Sequence, residues 1–182
     1  MNSIYVLPIL ETPRLILRPM TEKDLQMVVY WRNAAHVASM SVELRYQSLS
    51  LDHQVKWFEE TRRDRIDYIV ELKSDGKSIG SCGLKKISYP GFEPCMEKNR
   101  YIGDVSELRK GYASEIAKRW VQFAFVERNL QTLIARTHVT NVATIKINRR
   151  LGFSFLPWPD HLKSDSEDWV FMRMTRDEWQ LS

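Results

Sequence analysis

One glycine precedes the most regular amphipathic run in the chain. Residues 108–115, L-R-K-G-Y-A-S-E, place Gly111 just after two basic residues. At a strand-to-helix turn a glycine lets the backbone approach a ligand, and the free N–H groups of a helix N-terminus attract an anion. The segment therefore predicts a turn that could hold a phosphate. It matches neither the P-loop nor the dinucleotide pattern, so a plain helix start with two solvated cations, Arg109 and Lys110, stays open.

A second polar pattern lies closer to the C-terminus. Asn141, Thr144 and Asn148 are spaced i, i+3 and i+7, so they share one face of a predicted helix. Short amides and a hydroxyl on one face suit hydrogen bonding to the amide or phosphate groups of a ligand. The alternative is an ordinary solvent-facing stripe in which Asn141 caps the helix.

Three residues have types suited to proton transfer. Glu97 lies at the entry to a predicted strand, Asp104 at its end, and His138 follows another strand. An isolated carboxylate or imidazole is more often structural or solvated, so each is only a candidate base. The segment S-I-G-S-C-G (78–83) lacks the spacing of a nucleophile elbow, and no His or Cys pattern predicts a metal site.

Strands and helices must position these residues. The alternating R-L-I-L-R (14–18) predicts a strand, and Thr21 with Asp24 predicts a capping box at the start of the next helix. A second helix is predicted from Ser50. Three of its apolar residues are expected to face inward: Leu51, Val55 and Phe58.

The remaining elements complete an α/β order. Two strands, 68–72 and 78–86, are predicted around a D-G turn at 74–77, and the prolines and glycine of 88–99 predict a long loop. Then follow a strand at 100–105, a helix at 111–128, a strand at 130–139, a helix at 141–151, and strands at 152–156 and 168–175. The order β-α-α-β-β-β-α-β-α-β-β indicates a central sheet with helices on its faces.

The composition is that of a single globular domain, 1–182. The net charge is +4, but basic and acidic residues are interspersed, so we expect no nucleic-acid partner; a basic RNA-binding domain is the alternative from that class. No apolar run approaches the ~18 residues of a membrane span. The start of the chain has no signal-peptide features and the two cysteines no disulfide pattern, so we expect a cytoplasmic protein that contacts no membrane.

Several stretches, in their order and spacing, resemble the GNAT superfamily of acetyl-CoA-dependent N-acetyltransferases. They are E-T-P-R-L-I-L-R-P-M-T-E-K-D-L (11–25), W-R-N (31–33) with H-Q-V-K-W-F (53–58), I-G-D (102–104) with R-K-G-Y-A-S-E (109–115), N-V-A-T-I-K-I-N-R-R-L-G-F (141–153) and V-F-M-R-M-T-R-D-E-W (170–179). The resemblance covers nearly the whole chain.

The resemblance implies a mixed central sheet flanked by helices and splayed between its fourth and fifth strands, with the pantetheine arm of acetyl-CoA in the gap. Backbone around Asp104 and Val105 would polarise the thioester carbonyl, as an oxyanion hole does. Asn141, Thr144 and Asn148 would flank the cofactor, and no metal is implied. The pyrophosphate would be bound by consecutive backbone N–H groups: Arg109, Lys110, Gly111, Tyr112, Ala113 and Ser114.

The sequence departs from the family at Asn148. Many members carry a tyrosine there that protonates the leaving thiolate, and an amide is no general acid. A thiol with a pKa near ~8.5 could leave as thiolate with proton delivery by water, and Tyr112 or Tyr101 could substitute. Members often place a carboxylate at the position of Glu97, which makes it the expected base, with His138 second.

The acceptor is the least specified part of the prediction. The W-R-N and H-x-x-x-W-F elements resemble subgroups that acetylate amino groups of nucleotide-linked sugars or N-termini of ribosomal proteins. Trp31, Arg32 and Trp57 are the expected substrate contacts, although aromatic residues at helical spacing also suit a core. We expect acetyl transfer to a small primary amine by direct attack in a ternary complex, in a monomer or homodimer. A peptide N-terminus as acceptor, or a non-catalytic acetyl-CoA-binding module, are the alternatives.

Overall fold

The computed structural model describes residues 7–41, 48–89, 91–92, 94–157 and 168–181. They form one eight-stranded sheet in the order β1-β2-β3-β4-β5-β6-β8-β7. The strands are β1 (Leu10–Glu11), β2 (Leu15–Pro19), β3 (Arg65–Leu72), β4 (Ser78–Ile87), β5 (Cys95–Ile102), β6 (Thr132–His138), β7 (Ser154–Leu156) and β8 (Trp169–Thr175). The helices are α1 (Leu25–Asn33), α2 (Ala35–Ala38), α3 (Leu51–Thr61), α4 (Tyr112–Gln122), α5 (Val142–Arg150) and α6 (Arg176–Gln180).

The sheet is mixed and it opens between β5 and β6. These two strands are parallel and pair only at Cys95–Thr132, Met96–Leu133 and Glu97–Ile134, after which they separate. Beyond that point β5 stays paired with β4 and β6 with β8. Counted from the strand predicted at 14–18, β5 and β6 are the fourth and fifth strands. The predicted fold class and its splayed sheet are thus confirmed.

Helix α4 supplies the main core. Its buried residues include Ile116, Trp120 and Val121, and Trp120 stacks 4.9 Å from Phe123 while its indole N–H donates to the Gly83 carbonyl at 3.0 Å. The helix does not continue regularly to residue 128 as the sequence predicted. It ends in a π-helical turn, Phe123–Glu127, in which the Arg128 N–H donates to the carbonyl of Phe123 five residues earlier.

The opposite face of the sheet carries α1. The predicted capping box at its start is present: the Thr21 N–H donates to the Asp24 carboxylate at 2.8 Å. Trp31 is buried and lies flat against the backbone of Gly103, where a Cβ atom would come within 2.1 Å of the indole Cγ. The glycine of I-G-D therefore allows α1 to pack closely against the end of β5.

Two predictions about these elements were wrong. The strand expected at 100–105 begins at Cys95 and ends at Ile102, because pairing with β4 continues back to the Ile87–Cys95 partners and overrides the loop-like composition. In α3 the fully buried residue is Gln54, which accepts a hydrogen bond from Arg32 at 2.9 Å. Of the three residues expected to face inward, Leu51 is exposed, whereas Val55 and Phe58 are half-buried.

Replacing Gly103 by alanine should lower the free energy of unfolding by about 1–3 kcal/mol, because the new methyl group collides with Trp31 and overpacks this contact. Urea denaturation monitored by circular dichroism measures the change. Ala35→Ser, on the exposed side of α2, is the control and should stay within about 0.5 kcal/mol of the parent. Equal stability of the parent and Gly103→Ala would contradict the close packing.

Candidate active site

A cavity of about 660 Å³ opens where β5 and β6 separate. The backbone on each side of the gap has lost its partner across it, so part of its N–H and C=O groups are available to a ligand. Because side chains alternate along a strand, β5 contributes to both faces of the sheet. Tyr101 packs against Trp31 on the side that we call the α1 face, whereas Arg100 donates to the Ala113 carbonyl on the α4 face.

On the α1 face, acidic and basic residues meet beside the gap. Glu97 lies 3.4 Å from the Nε atom of Arg136 and is the strand partner of Lys85. Arg65 holds Asp67 through both carboxylate oxygens, at 3.0 and 3.1 Å. All of these side chains line the cavity.

Trp57 of α3 forms the wall above these residues. The guanidinium carbon atoms of Arg65 and Arg32 lie 4.4 and 5.3 Å from the centre of its ring, within cation–π range. Trp57 and Arg32 line the cavity. Trp31 does not, because it is buried in the contact with Gly103 and Tyr101; this placement argues for a supporting role rather than a substrate contact.

On the α4 face, a lysine is buried at the point where the strands part. Lys98 is 5% exposed, donates to Asn148 Oδ1 at 2.8 Å, and lies 4.7 Å from the centre of the Phe153 ring. Burial lowers the pKa of the Lys98 ammonium well below its usual value; Arg100 adds to the effect and Glu97 opposes it. Burial also lowers the pKa of Arg100, to about 10.

The turn around Gly111 has a backbone geometry that would suit an anion. Arg109 and Gly111 have φ of 63° and 86°, two left-handed residues that shape a concave backbone turn. The first backbone hydrogen bond of α4 runs from the Ser114 N–H to the Gly111 carbonyl. The N–H groups of the residues just before Ser114 are therefore not used by the hydrogen bonds of the helix itself. Arg14 donates to the Lys110 carbonyl at 3.0 Å and lies over the Tyr112 ring at 4.4 Å.

Asp104 has a different role from the expected one. The Asp104 N–H donates to the Ile79 carbonyl at 3.2 Å, and the Gly103 N–H donates to the same carbonyl. The Asp104 N–H is therefore already hydrogen-bonded within the protein. Its carboxylate accepts from the Ser106 N–H and pairs with Lys77 at 2.8 Å, and these contacts lower the pKa of Asp104 to about 2. The neighbouring Val105 is exposed and does not line the cavity.

The polar stripe of α5 faces the gap. Asn141, Thr144 and Asn148 all line the cavity, and Asn148 is completely buried. Asn141 also caps the helix, since its side chain accepts from the Thr144 N–H at 3.1 Å. Asn141 thus caps the helix, and the whole stripe is part of the cavity lining.

The other candidate proton carriers are spread out. His138 lines the cavity, but it lies four residues beyond the last β5–β6 pair, about 13 Å along the strand from the level of Glu97. Its Nδ1 atom lies 2.7 Å from Thr140 Oγ1 and its ring packs edge-on against Trp169. Tyr112 lies outside the cavity lining. Tyr101 lines it on the α1 face, and burial raises the pKa of its phenol.

Sequence reasoning missed several residues that the fold brings to the gap: Arg65, Lys85, Lys98, Arg100 and Arg136. One signal was available in M-E-K-N-R-Y (96–101), where polar residues occupy both alternating sets of an interior strand. Interior strands are normally apolar on at least one face, so this pattern indicates a strand that borders a cleft. The loop predicted over 88–99 overlaps the first part of this segment and so obscures the pattern.

Comparison with known proteins agrees with this geometry. The model of the acetyltransferase (GNAT) domain matches residues 14–154, and the chain belongs to this family. It is an acetyl-CoA-dependent N-acetyltransferase. Among the described residues, no helix is long and apolar enough to cross a membrane, and no group of His, Cys, Asp or Glu side chains is placed to hold a metal ion.

Solved structures with the same fold act on different acceptors. The spermidine N-acetyltransferase from Vibrio cholerae, solved with CoA and spermine, is 19% identical with a TM-score of 0.77, covering 93% of this chain and 99% of that one. The ribosomal L7/L12 alpha-N-protein acetyltransferase RimL, in complex with CoA, is 14% identical with a TM-score of 0.74, covering 94% and 99%. The aminoglycoside acetyltransferase AAC(6')-Ib with CoA and kanamycin is 19% identical with a TM-score of 0.72, covering 92% and 98%.

The residues at the gap fit acetyl-CoA as the co-substrate. The turn at Gly111 presents backbone donors beside Arg109 and Arg14, as a pyrophosphate requires. The Nη2 atom of Arg100 is buried and has no hydrogen-bond partner among the described residues, which is typical of a donor that a ligand completes.

Gly111→Asp should weaken CoA binding at least about 100-fold, since it sets a carboxylate against a dianionic pyrophosphate and forces a side chain into a left-handed conformation. Isothermal titration calorimetry measures the affinity. Gly91→Asp is the matched control: φ there is +85° with open space around it, and Gly91 does not line the cavity, so the variant has the same backbone cost outside the site. Unchanged affinity of Gly111→Asp would show that the turn does not bind the cofactor.

Proposed function

We propose that the chain transfers the acetyl group of acetyl-CoA to the primary amine of a small anionic acceptor, such as a nucleotide-linked amino sugar. Transfer takes place by direct attack of the amine in a ternary complex. The acetyl donor lies in the gap between β5 and β6, with its pyrophosphate at the Gly111 turn and α5 along one side. The acceptor enters from the α1 face.

The charge balance of the α1 face carries this proposal. Arg32, Arg65, Lys85 and Arg136 line it, against the carboxylates of Asp67 and Glu97. Asp67 is held by Arg65, and Glu97 lies beside Arg136. The surplus of positive charge attracts phosphate or carboxylate groups, and guanidinium groups bind phosphate through paired hydrogen bonds. Trp57 adds an aromatic surface on which a base or sugar ring can stack.

The same balance disfavours polycationic acceptors. The spermidine and aminoglycoside acetyltransferases that share this fold were solved with spermine and kanamycin. A polyamine in the present cavity would meet four cationic side chains and two carboxylates that are already paired with arginines, and like charges in a partly desolvated site repel strongly. We therefore assign this chain a different acceptor class from those proteins.

Glu97 is the proposed base. It lines the cavity beside the last β5–β6 pair, where the backbone edges become free and the reacting groups can meet. An acceptor amine with a pKa of roughly 8–10 arrives mainly as ammonium at neutral pH, and a nearby carboxylate can remove its proton directly or through a water. Arg136 forms an ion pair with this carboxylate, its Nε atom lying 3.4 Å from the nearer oxygen.

A peptide N-terminus is the second candidate acceptor. The cavity lining extends from α5 past Arg32 to Met40 and Ser41 beyond α2, a long groove that could take an extended chain. The similarity to RimL concerns the fold alone. An acidic peptide would use the same cationic wall, so the charge argument separates polycations from anions but not sugars from peptides.

Thiol release over a panel of amines tests the proposal. The panel contains a nucleotide-linked amino sugar, the corresponding free amino sugar, an acidic peptide with a free N-terminus, and spermidine. Highest kcat/KM for the nucleotide-linked sugar is the expected result, with the free sugar at least about tenfold lower for lack of the phosphate contacts. A preference for spermidine would overturn the anionic acceptor, and a preference for the peptide would establish the second candidate.

Glu97→Gln should lower kcat at neutral pH by about 100-fold, because the amide cannot accept the ammonium proton. The loss should shrink as the pH approaches that at which the free amine deprotonates by itself. A pH series of initial rates measures both effects. His138→Gln is the matched comparison and should stay within a few-fold of the parent; the reverse ranking would make His138 the base.

Arg32→Gln should raise KM for an anionic acceptor by about tenfold, since one charged contact is lost, while KM for acetyl-CoA is unchanged. Two-substrate kinetics separates the two constants. Lys56→Gln, an exposed lysine on α3, is the control for the loss of one positive charge from this region. A parallel rise in both KM values would indicate a structural effect instead.

A further inference from the structure

The α4 face of the gap contains a buried amine beside the residue at which the chain departs from its family. Asn148 occupies the position where many members carry a tyrosine, and its Oδ1 atom accepts a hydrogen bond from Lys98 Nζ at 2.8 Å. Both side chains line the cavity. Lys98 is also the first residue of β5 after the last pair with β6, so its side chain lies at the closed end of the gap.

We infer that Lys98 is the general acid of this enzyme: its ammonium group, oriented by Asn148, donates a proton to the sulfur of the departing CoA. This inference rests on the proposed function. As the carbon–sulfur bond of the thioester breaks, its electron pair goes to sulfur. An N–H bond of Lys98 breaks, an S–H bond forms, and Lys98 remains as a neutral amine that regains its proton from water.

The other candidate acids are placed less well. Tyr112 lies outside the cavity lining, and Tyr101 is on the opposite face of β5 against Trp31. Arg100 is on the α4 face but donates to the Ala113 carbonyl at 3.0 Å, and a guanidinium with a pKa of about 10 gives up a proton poorly near neutral pH. Lys98 combines the right face, a fixed orientation and a proton that can leave.

The surroundings of Lys98 suit proton donation to a thiolate. The charged groups that act on it are Glu97 and Arg100, its neighbours on β5; α5 presents the neutral Asn148, and Phe153 lies beneath the ammonium. Burial lowers the pKa of Lys98 well below that of an ordinary lysine, so its ammonium group is a stronger acid and gives up a proton more readily.

The purpose of the buried hydrogen bond follows from the same geometry. A lysine ammonium needs acceptors when it is buried, and Asn148 Oδ1 provides one while its amide nitrogen faces the Met172 sulfur at 3.9 Å. The asparagine thus restrains the Lys98 side chain at the closed end of the gap. We assign Asn148 a positioning role rather than a direct part in the reaction.

The first test needs no turnover. CoA bound to the parent and to Lys98→Met is titrated by the ultraviolet absorbance of its thiolate. A neighbouring ammonium stabilises the thiolate, so the thiol pKa of bound CoA should be about one unit lower in the parent than in the variant. Methionine keeps the unbranched shape and removes the buried charge, so the variant is expected to fold; Lys146→Met, an exposed lysine on α5, is the control. Equal thiol pKa values in parent and variant would overturn the inference.

The second test compares two acyl donors. With acetyl-CoA, Lys98→Met should lose about 100-fold in kcat, while KM for acetyl-CoA changes little. In the parent, kcat should decline at alkaline pH because only the ammonium form of Lys98 donates a proton, and the midpoint of this decline should lie below the ~10.4 of an ordinary lysine because burial lowers the pKa of Lys98. In the variant this alkaline decline should be absent. With p-nitrophenyl acetate, whose phenolate leaves without a proton, parent and variant should react equally.

The outcomes distinguish a failure of the role of Lys98 from a failure of the proposed acceptor. An equal loss with both donors, or a full rate with acetyl-CoA, would refute the role of Lys98 while leaving acetyl transfer intact. A parent protein that binds CoA but acetylates none of the panel amines would instead refute the proposed acceptor, and the thiol titration would still decide the position of Lys98.

Discussion

The short parallel contact between β5 and β6 is the constraint on which the rest of this structure depends. It consists of the partners Cys95–Thr132, Met96–Leu133 and Glu97–Ile134, and it joins two antiparallel halves of the sheet. Beyond Glu97, β5 remains hydrogen-bonded to β4 and β6 to β8, so β5 and β6 can separate while each keeps one neighbouring strand. The gap that opens has free backbone groups along its edges, which an extended ligand such as pantetheine can use.

The gap also divides the chemistry, because a strand presents alternate residues to opposite faces. On the α1 face, Glu97 is placed among arginine and lysine side chains that suit an anionic amine. On the α4 face, Lys98 lies next to Asn148 under the proposed leaving group. Consecutive residues of one strand would thus accept a proton at one side of the reacting centre and donate one at the other. The backbone keeps these two roles apart without an additional element.

Two neighbouring cations, the buried Lys98 and the half-buried Arg100, are costly to keep in the interior of a protein of this size. Desolvation disfavours both charges, which is why the pKa values of both are lowered. The neutral contacts to Asn148 and to the Ala113 carbonyl offset part of that cost. A cofactor with phosphate groups and a thiolate product would offset more, so this unfavourable arrangement is understandable in a site that binds acetyl-CoA.

The sequence by itself determined the alternating elements, the helix after Gly111, the capping box at Thr21 and the family to which the motifs point, because these depend on periodicities and turn residues that are local. Helical spacing placed Asn141, Thr144 and Asn148 on one face, and the resemblance to the family directed that face toward the cofactor. The true start of β5 and the burial of Gln54 were decided only by tertiary structure. Tertiary structure alone also brought Lys98 next to Asn148, 50 positions away in the chain. Strand pairing and desolvation are long-range effects, and they alone turn a run of polar residues into two sides of one site.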